Sequence, residues 1–480
     1  MLKNLLVVGA GNYAAMAMSL AINGLLTRQL GADRYGHLAL LLTASQMLAL
    51  VAVNWTHTAL VRFGAQEFAE SGTVSATFWT RIWIAMPWIC GAAVLMAVAR
   101  RPIAAYLLIP EWGLLLVLAQ FAAAFMLVTV GAVFQARSEM PRYGAMLFLD
   151  KALAAAVLIV AVAGGVRLAP LGALGIYAGS STAVAIWGLT RTGSASLMPM
   201  RFDRANYVKM FAFSFPLLFS SWVGVFGTNW FDLLIIKMYR PMSEVGLYSL
   251  GAVLAGVVQQ VTIIFSTLLL PKLSVMVAGG ELEKIRAFID RVLPYWFLVT
   301  GLLFSIVLLF AQPVVPLIFG RAFAPTASVV AVLMVATCAL ALFNAFSPLV
   351  SAFGATWAVT GIALASGIVN VVMDFVLIPS HGIQGAAFAT VLAYGTSAVL
   401  VLAYVQRRLQ HNVFRLALLF APVLIVCALY LFLEPFQFYL FAAPAAAISV
   451  FWLMHHFQLF HGAYGAAAAW NLESLLRRIP

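Results

Sequence analysis

The chain is a succession of apolar runs, each about twenty residues long, separated by short stretches that hold most of the charges, prolines and glycines. A helix of about 20 residues crosses the roughly 30 Å of hydrocarbon in a bilayer while its own backbone groups satisfy one another. The pattern therefore predicts an all-α integral membrane protein with about fourteen transmembrane helices. The predicted spans are 5–26, 37–54, 82–99, 112–134, 144–164, 171–189, 211–231, 245–268, 292–311, 326–343, 357–378, 383–405, 415–433 and 438–457.

Composition excludes a water-soluble protein of this size. Hydrophobic residues make up 64% of the 480 positions and charged residues 9%, which leaves too few polar side chains to cover a globule. A soluble helical protein would show an apolar stripe opposite a polar face on each helix, and these runs do not. The connections between the runs are short, so we expect no extramembrane domain.

The formal net charge of +12 raises the question of nucleic acid, but the basic residues are scattered singly between apolar runs. Lys and Arg are enriched on the cytoplasmic side of spanning proteins. When the spans are numbered from an inner N-terminus, 19 of the 27 basic residues fall inside and 8 fall outside. This bias predicts cytoplasmic termini and an even number of spans, and we expect no nucleic-acid partner.

The two ends of the chain and the cysteines also fit a multi-span membrane protein. The run 5–26 is long enough to span and no exported domain follows it, so we expect a retained helix rather than a cleaved signal peptide. Cys90, Cys338 and Cys427 lie inside predicted spans, which argues against a disulfide framework or a thiolate metal site. The stretch 470–478 is predicted to be an amphipathic interfacial tail.

The two halves of the chain resemble each other at a nearly constant offset. The pairs Arg28 with Lys237, Gly36 with Gly246, Arg62 with Lys272, and Gly172 with Gly382 lie 209 or 210 residues apart. Each repeat would hold six spans, an even number, so both would enter the membrane in the same orientation, as in a two-lobed alternating-access transporter. The predicted organisation is an N-terminal six-helix lobe at 1–205, a C-terminal six-helix lobe at 206–411, and two further spans with a cytoplasmic tail at 412–480.

Several short motifs occur in an order and spacing that are typical of one transporter superfamily. They are RQLGADRYG at 28–36, ALVRF at 59–63, Pro216 with Asp232, VGLYS at 245–249, FGRAF at 319–323, Asn370, LIP at 377–379 and GIQGAAFAT at 382–390. On these residues the chain from about 5 to 410 resembles the Wzx-type polysaccharide transport flippases of the multidrug/oligosaccharidyl-lipid/polysaccharide (MOP) exporter superfamily. The resemblance implies the two-lobed fold of the multidrug and toxin extrusion (MATE) transporters.

The resemblance also implies an activity. Members of this branch move undecaprenyl-pyrophosphate-linked oligosaccharide repeat units from the cytoplasmic to the periplasmic leaflet, for O-antigen, capsule or exopolysaccharide biosynthesis. It implies residence in a bacterial inner membrane, contact with membrane lipids, and polysaccharide polymerase and chain-length components as partners. It implies no enzymatic activity and no cofactor.

Four basic residues are candidates for binding the pyrophosphate. Arg28 and Lys237 occupy equivalent positions at the outer ends of spans in the two repeats, and Arg62 and Lys272 occupy equivalent positions at inner ends. Such cations could line a cavity between the lobes, where the planar Arg side chain can form two hydrogen bonds with one phosphate. The alternative is that these long side chains reach out to lipid headgroups.

Asp232 and Asp374 are candidates for ion coupling, because carboxylates at membrane depth are rare and costly to hold there. Desolvation favours the protonated form of such a group, which suits proton exchange. The alternative for each is a fixed carboxylate paired with a basic residue for packing. Asp150 stands next to Lys151, so mutual neutralisation is the simplest account of that residue.

Two other functions stay open. A multidrug antiporter of the same superfamily would need several carboxylates to bind organic cations, and this chain has few at membrane depth. A membrane-embedded polysaccharide polymerase or ligase would usually need a sizeable extramembrane loop with clustered acidic, Arg or His residues. The histidines show no metal-ligand spacing beyond the adjacent His455 and His456, so we expect neither a metal site nor a catalytic residue.

Reporter fusions test the predicted orientation. Fusions at Arg408 and Pro480 should report the cytoplasm, and fusions at Pro110 and Glu434 should report the periplasm, because of the bias in basic residues. A periplasmic signal at Pro480 would contradict the even number of spans and the repeat.

Overall fold

The structure is a computed structural model that describes residues 2–193, 197, 198, 200, 202–226 and 229–457. Within these residues the chain forms helices and no β-strand, which confirms the predicted all-α class. A helix satisfies its backbone hydrogen bonds within one segment, so it suits a chain with this apolar composition. The predicted tail at 470–478 and the C-terminus lie outside the described residues.

Contacts divide the chain into two compact units between Gly246 and Leu247. The helices of the first unit are α1 (Leu2–Ala52), α2 (His57–Ser71), α3 (Ser75–Val98), α4 (Arg100–Leu107), α5 (Gly113–Ala136), α6 (Met140–Ala163), α7 (Pro170–Thr192), α8 (Arg204–Phe226) and α9 (Asn229–Tyr239). Its core forms where α1 packs on α6 and α5 packs on α7. Because α8 packs on α1, α2 and α3, this unit extends beyond residue 205; the predicted lobe boundaries at 205 and 411 stay predictions.

The division between the units falls inside α10. The remaining helices are α10 (Met242–Ala278), α11 (Leu282–Arg291), α12 (Leu293–Phe319), α13 (Thr326–Ala352), α14 (Thr356–Leu409), α15 (Ala421–Phe432) and α16 (Pro435–His456). A 3-10 segment, Phe414–Phe420, leads directly into α15. In the second unit α13 packs on α14, and α15 packs on α16.

Eleven helical segments among the described residues are long and apolar enough to cross a membrane. Two of them, in α1 and α14, each contain two of the predicted spans without an intervening loop. The predicted span 211–231 corresponds to α8 and the start of α9. The multi-span architecture is confirmed, whereas the count of fourteen stays a prediction.

The two long helices are broken by glycines with left-handed backbone angles. Gly31 in α1 has φ 70° and ψ 176°, and Gly382 in α14 has φ 58° and ψ −137°. A side chain is strained at such angles, and glycine is not. Each glycine therefore lets one span end and the next begin within a residue, where hydropathy alone predicts a connecting loop.

The helix boundaries follow the repeat found in the sequence. Pro241, which lies 210 residues after Gly31, separates α9 from α10 and so ends the corresponding span of the second repeat. The first turn of α7 contains Gly172, whose equivalent is the break at Gly382. The offset of about 210 residues therefore relates the spans themselves and not only scattered motifs.

Three of the described helices, α2, α4 and α11, were not predicted, because none is long and apolar enough to register as a span. In α11 one face buries Ile285 and Phe288, while Arg286 donates a hydrogen bond to the carbonyl oxygen of Leu409 at 2.7 Å. The carboxylate of Asp290 accepts hydrogen bonds from His411, at 2.7 Å, and from Arg415. These contacts attach α11 to the C-terminal end of α14 and the segment that follows it.

The repeat-related glycines Gly36 and Gly246 lie against each other. A Cβ atom added to Gly36 would stand 2.1 Å from the carbonyl oxygen of Met242, and one added to Gly246 would stand 2.2 Å from the carbonyl oxygen of Ala32. Both obstacles are backbone atoms, which cannot rotate away as a side chain can. The close approach of α1 to the start of α10 therefore depends on glycine at both positions.

Gly36→Ala should destabilise the protein, because the added methyl group forces two backbones apart. Overpacking in a well-packed core costs about 1–3 kcal/mol, and a clash with backbone should reach the upper end of that range. Thermal unfolding of the detergent-solubilised protein measures the effect.

Gly256→Ala is the matched control, since Gly256 lies in α10 and a Cβ atom there would meet nothing within 4 Å. Alanine is also the better helix former, so this variant should unfold at the same temperature as the parent or slightly above it. Equal melting temperatures for Gly36→Ala and the parent protein would show that the two helices are free to separate.

Candidate functional site

The structure places the four predicted cations on four different helices. Arg28 is exposed on α1 just before its break, and Arg62 is exposed on α2. Lys237 is half-buried near the end of α9, in the first unit like the two arginines. Lys272 is half-buried in α10 and belongs to the second unit. That the four act on one substrate stays a prediction.

Arg62 belongs to a compact group of two cations and two aromatic rings. Its guanidinium carbon lies 4.8 Å from the ring centre of Phe213 and 5.5 Å from that of Phe63. The ammonium group of Lys209 lies 4.8 Å from the ring centre of Phe63, and the two rings meet edge to face at 5.4 Å. We call Arg62, Phe63, Lys209 and Phe213 the basic–aromatic cluster; it joins α2 to α8.

The positive charges of this cluster are not neutralised by carboxylates. Among the described residues neither Arg62 nor Lys209 forms a salt bridge, whereas Arg137 pairs with Glu139 at 2.8 Å and Arg100 pairs with Glu111 at 3.0 Å. A ring face attracts and orients a cation through its quadrupole but carries no net charge. The cluster therefore holds two positive charges in place and leaves them available to an anion.

Four aromatic rings on one face of α8 contact each other in a row, which we call the apolar ladder. Tyr207, Phe211, Phe215 and Phe219 recur at every fourth residue, and consecutive ring centres are 5.4–6.1 Å apart. Side chains four residues apart lie on the same face of a helix. Phe215 and Phe219 are exposed, while Phe211 also packs edge to face on buried Trp55. Lys209 and Phe213 lie two residues away from these positions, so the apolar ladder and the cluster occupy opposite faces of α8.

Asp150 is a structural carboxylate, as predicted. One oxygen accepts a hydrogen bond from Ser181 at 2.7 Å, and the other lies 2.8 Å from the ammonium group of Lys151. Its charge is compensated within the first unit. Mutual neutralisation with Lys151 is therefore confirmed.

The two predicted coupling residues are both fully buried. Asp232 lies in the first turn of α9, and Asp374 lies in α14, where it accepts a hydrogen bond from the Asn370 side-chain amide at 3.0 Å. The amide of Asn370 is neutral, so this contact orients the carboxylate without compensating a charge. Their role in coupling stays a prediction.

Arg81 is a further cation in the first unit, and it is completely buried in α3. No atom of the described residues accepts a hydrogen bond from any of its three side-chain nitrogens. Its guanidinium carbon lies 5.4 Å from the ring centre of Phe125 on α5. A guanidinium stays protonated in proteins, so α3 carries an uncompensated charge in its core.

His57 lies at the start of α2, outside the predicted and observed spans, and it faces Arg81. Burial, and to a smaller extent the nearby positive charge of Arg81, lowers the pKa of His57 from its ordinary 6.5 to about 4. Both effects disfavour the protonated ring. His57 is therefore neutral in the folded protein at physiological pH.

Comparison with known proteins places the chain in a family. The pattern of the family described as "Polysaccharide biosynthesis protein" matches residues 1–277, more than half of the chain. This chain belongs to that family. A probable low-salt glycan biosynthesis flippase, Agl15 of Haloferax volcanii, is 27% identical over 219 residues, which are 45% of this chain and 44% of that protein. The chain thus matches less than half the length of this curated relative.

Solved structures show the same fold as this member of the polysaccharide biosynthesis protein family. The lipid II flippase MurJ, in its inward closed conformation, has a TM-score of 0.74 and 11% identity over 94% of this chain and 98% of that one. An inward-facing MATE transporter of the MOP superfamily has a TM-score of 0.66 and 12% identity, over 82% and 94% of the two chains. The predicted MATE-like fold is confirmed, and these two solved proteins are a flippase and a transporter.

The sequence analysis did not identify Lys209 or Arg81 as candidate functional residues of this family member. Lys209 was counted only as a basic residue in a connection, because its ring partner Phe63 is remote along the chain. Arg81 was placed just outside a span predicted to begin at residue 82, whereas α3 begins at Ser75. The aromatic residues on both sides of Arg81, in the stretch FWTRIW at 78–83, are a signal that the apolar helix continues through it.

The depressed pKa of His57 predicts that acid destabilises the folded protein. Between pH 6.5 and about 4 the unfolded chain binds a proton at His57 that the folded chain does not, so the free energy of unfolding falls as the pH is lowered. The full loss is on the order of 3 kcal/mol and is complete below about pH 4. Thermal unfolding across this range measures it.

His57→Gln removes the titrating group and keeps a polar side chain of similar reach. The difference in stability between this variant and the parent protein should shrink or reverse as the pH falls from 6.5 toward 4. A constant difference across that range would show that His57 does not carry the depressed pKa.

Proposed function

We propose that this protein is a flippase that moves undecaprenyl-pyrophosphate-linked oligosaccharide repeat units from the cytoplasmic to the periplasmic leaflet by alternating access. The observation that carries the proposal is the basic–aromatic cluster, in which Arg62 and Lys209 hold two uncompensated positive charges. A pyrophosphate diester carries about two negative charges and cannot enter hydrocarbon without compensation. The cluster offers that charge at a site where α2 and α8 meet.

The apolar ladder on α8 supports a lipid-linked substrate over a free anion. Its rings at Phe215 and Phe219 are exposed, on the face of α8 opposite Lys209 and Phe213. An isoprenoid chain attached to the diphosphate would find apolar surface there without displacing a polar contact. A soluble anion would gain nothing from these rings.

We extend the proposal to the repeat-related cations. Arg62 and Lys272 receive the diphosphate in the inward-facing state, and Arg28 and Lys237 accept it in the outward-facing state. A substrate shifts a conformational equilibrium only when it binds the two states differently, and such a transfer supplies that difference. Agl15 is described as a probable glycan biosynthesis flippase and MurJ as a lipid II flippase, and both descriptions support a flippase function.

The proposed setting is a bacterial inner membrane with both termini in the cytoplasm, in a pathway for O-antigen, capsule or exopolysaccharide. Polysaccharide polymerase and chain-length components are the proposed partners. Family membership supports polysaccharide biosynthesis as the general process. Reconstituted vesicles test the activity directly, with a pyrophosphate-linked glycan as substrate and an organic cation as the alternative cargo.

Arg62→Gln and Lys209→Gln should each slow flipping of the pyrophosphate-linked glycan, because each removes one charge from the cluster. Losing a hydrogen bond to a charged group costs about 1.5–3 kcal/mol, which corresponds to roughly a 10- to 150-fold lower rate when the contact is made in the rate-limiting state. Arg28→Ala should also slow flipping, and Arg28→Lys should restore it only partly if two parallel hydrogen bonds matter.

Arg191→Gln is the matched control. Arg191 also lies over an aromatic ring, that of Trp187 at 5.9 Å, but it is outside the cluster. Arg167→Ala, at an exposed position between α6 and α7, is a second control. Equal rates in all six variants would identify these cations as headgroup contacts, and export of the organic cation alone would favour the multidrug antiporter.

Asp232→Asn and Asp374→Asn test the proposed coupling. If one of these carboxylates carries the exchanged proton, its Asn variant should insert and fold but should no longer respond to a pH gradient, since an amide does not titrate in this range. Flipping rates with and without the gradient measure the response. A full response in both variants would remove the two residues from the mechanism.

A further inference from the structure

Arg81 and His57 contribute buried side-chain nitrogens without a hydrogen-bond partner among the described residues, and the proposed transport does not use them. Arg81 is 0% exposed, and its three nitrogens carry five N–H donors. The Nδ1 atom of His57 is also buried, and no described residue forms a hydrogen bond with it. Buried polar groups in native proteins are nearly always hydrogen-bonded, so donors in this number require an acceptor.

No carboxylate of the described residues pairs with Arg81. The acidic side chain that α2 directs at α3 is Glu67, and both of its oxygens accept backbone N–H groups at the start of α3, from Ala76 at 2.9 Å and from Thr77 at 2.8 Å. That carboxylate stabilises the N-terminus of α3 one turn before Arg81. Among the described residues Arg81 forms no salt bridge.

The surroundings of Arg81 restrict what could accept its hydrogen bonds. The ring of Phe125 covers the guanidinium from α5, and His57 on α2 is close enough for its charge to interact with that of Arg81. The core between these helices also contains Phe121, Ala85 and Val53, all buried. The positive charge of the guanidinium and these buried apolar side chains favour a small anion over the bulky headgroup of a lipid-linked diphosphate.

We propose that Arg81 and His57 bind a small monovalent inorganic anion, of the class of chloride, in the core of the first unit. The guanidinium supplies the positive charge and several donors, and the imidazole N–H supplies a further one. Bound there, the anion compensates the charge of α3 and connects three helices, α2, α3 and α5. This site is separate from the basic–aromatic cluster, and it stands or fails independently of the proposed function.

Thermal unfolding of the purified full-length protein in detergent tests the site, with sodium chloride replaced stepwise by sodium gluconate at constant ionic strength and pH. A ligand that binds only the folded state raises its stability with the logarithm of ligand concentration above the dissociation constant. We expect the melting temperature to rise by about 2 °C or more over a roughly hundredfold range of chloride. A melting temperature that does not depend on chloride would overturn the proposal and leave water as the acceptor.

Arg81→Met keeps the length of the side chain and removes its charge and donors. This variant should lose the dependence on chloride, and in gluconate it should be at least as stable as the parent, because an unpaired buried charge is gone. Arg191→Met, which changes an exposed cation, should keep the full chloride dependence. An undiminished chloride effect in Arg81→Met would assign the anion to another site.

Arg81→Lys keeps the charge but has three donors instead of five. This variant tests the same site if Arg81→Met does not fold. The chloride concentration at which its melting temperature begins to rise should be higher than in the parent. Thermal unfolding of the parent protein is also measured in sodium phosphate at equal ionic strength. Stabilisation by phosphate but not by chloride would overturn the assignment to a small monovalent anion.

Discussion

Hydrocarbon offers no hydrogen-bond partner, and most features of this protein are consequences of that constraint. Each backbone N–H and C=O group must be satisfied within the chain, which selects helices for every apolar run. The same constraint decides where the helices can be interrupted. Gly31 and Gly382 let two spans turn without a loop, and both are positions where a side chain would be strained.

The same lack of hydrogen-bond partners applies to charged side chains, which occur here in three different environments. Asp150 is compensated by Lys151 and Ser181, so its charge is neutralised within the unit. Arg62 lies over the ring of Phe213, which orients the guanidinium but does not neutralise it. Arg81 has neither a carboxylate nor a carbonyl partner among the described residues. The first arrangement is structural, whereas the other two leave a positive charge to be met by something that binds.

Sequence reasoning predicted a multi-span, all-α fold because both properties depend on periodicity and composition, which a single chain displays. It missed α2, α4 and α11, since an amphipathic helix at a membrane boundary has neither the apolar length of a span nor the charge density of a loop. It also missed Lys209, whose significance comes from Phe63 on another helix. Contacts between residues remote in sequence are decided by packing, and no local pattern records them.

The relation to MurJ and the MATE transporter shows how little of the sequence the fold requires. Identities of 11% and 12% accompany TM-scores of 0.74 and 0.66, so the architecture tolerates replacement at most positions. What it needs is apolar length, glycine at the breaks, and the close approach at Gly36 and Gly246. We therefore expect substrate selectivity to depend on the few charged side chains that no other side chain neutralises. In the first unit Arg62 and Lys209 are such charges, and for this reason the proposal of an anionic lipid as substrate depends on them.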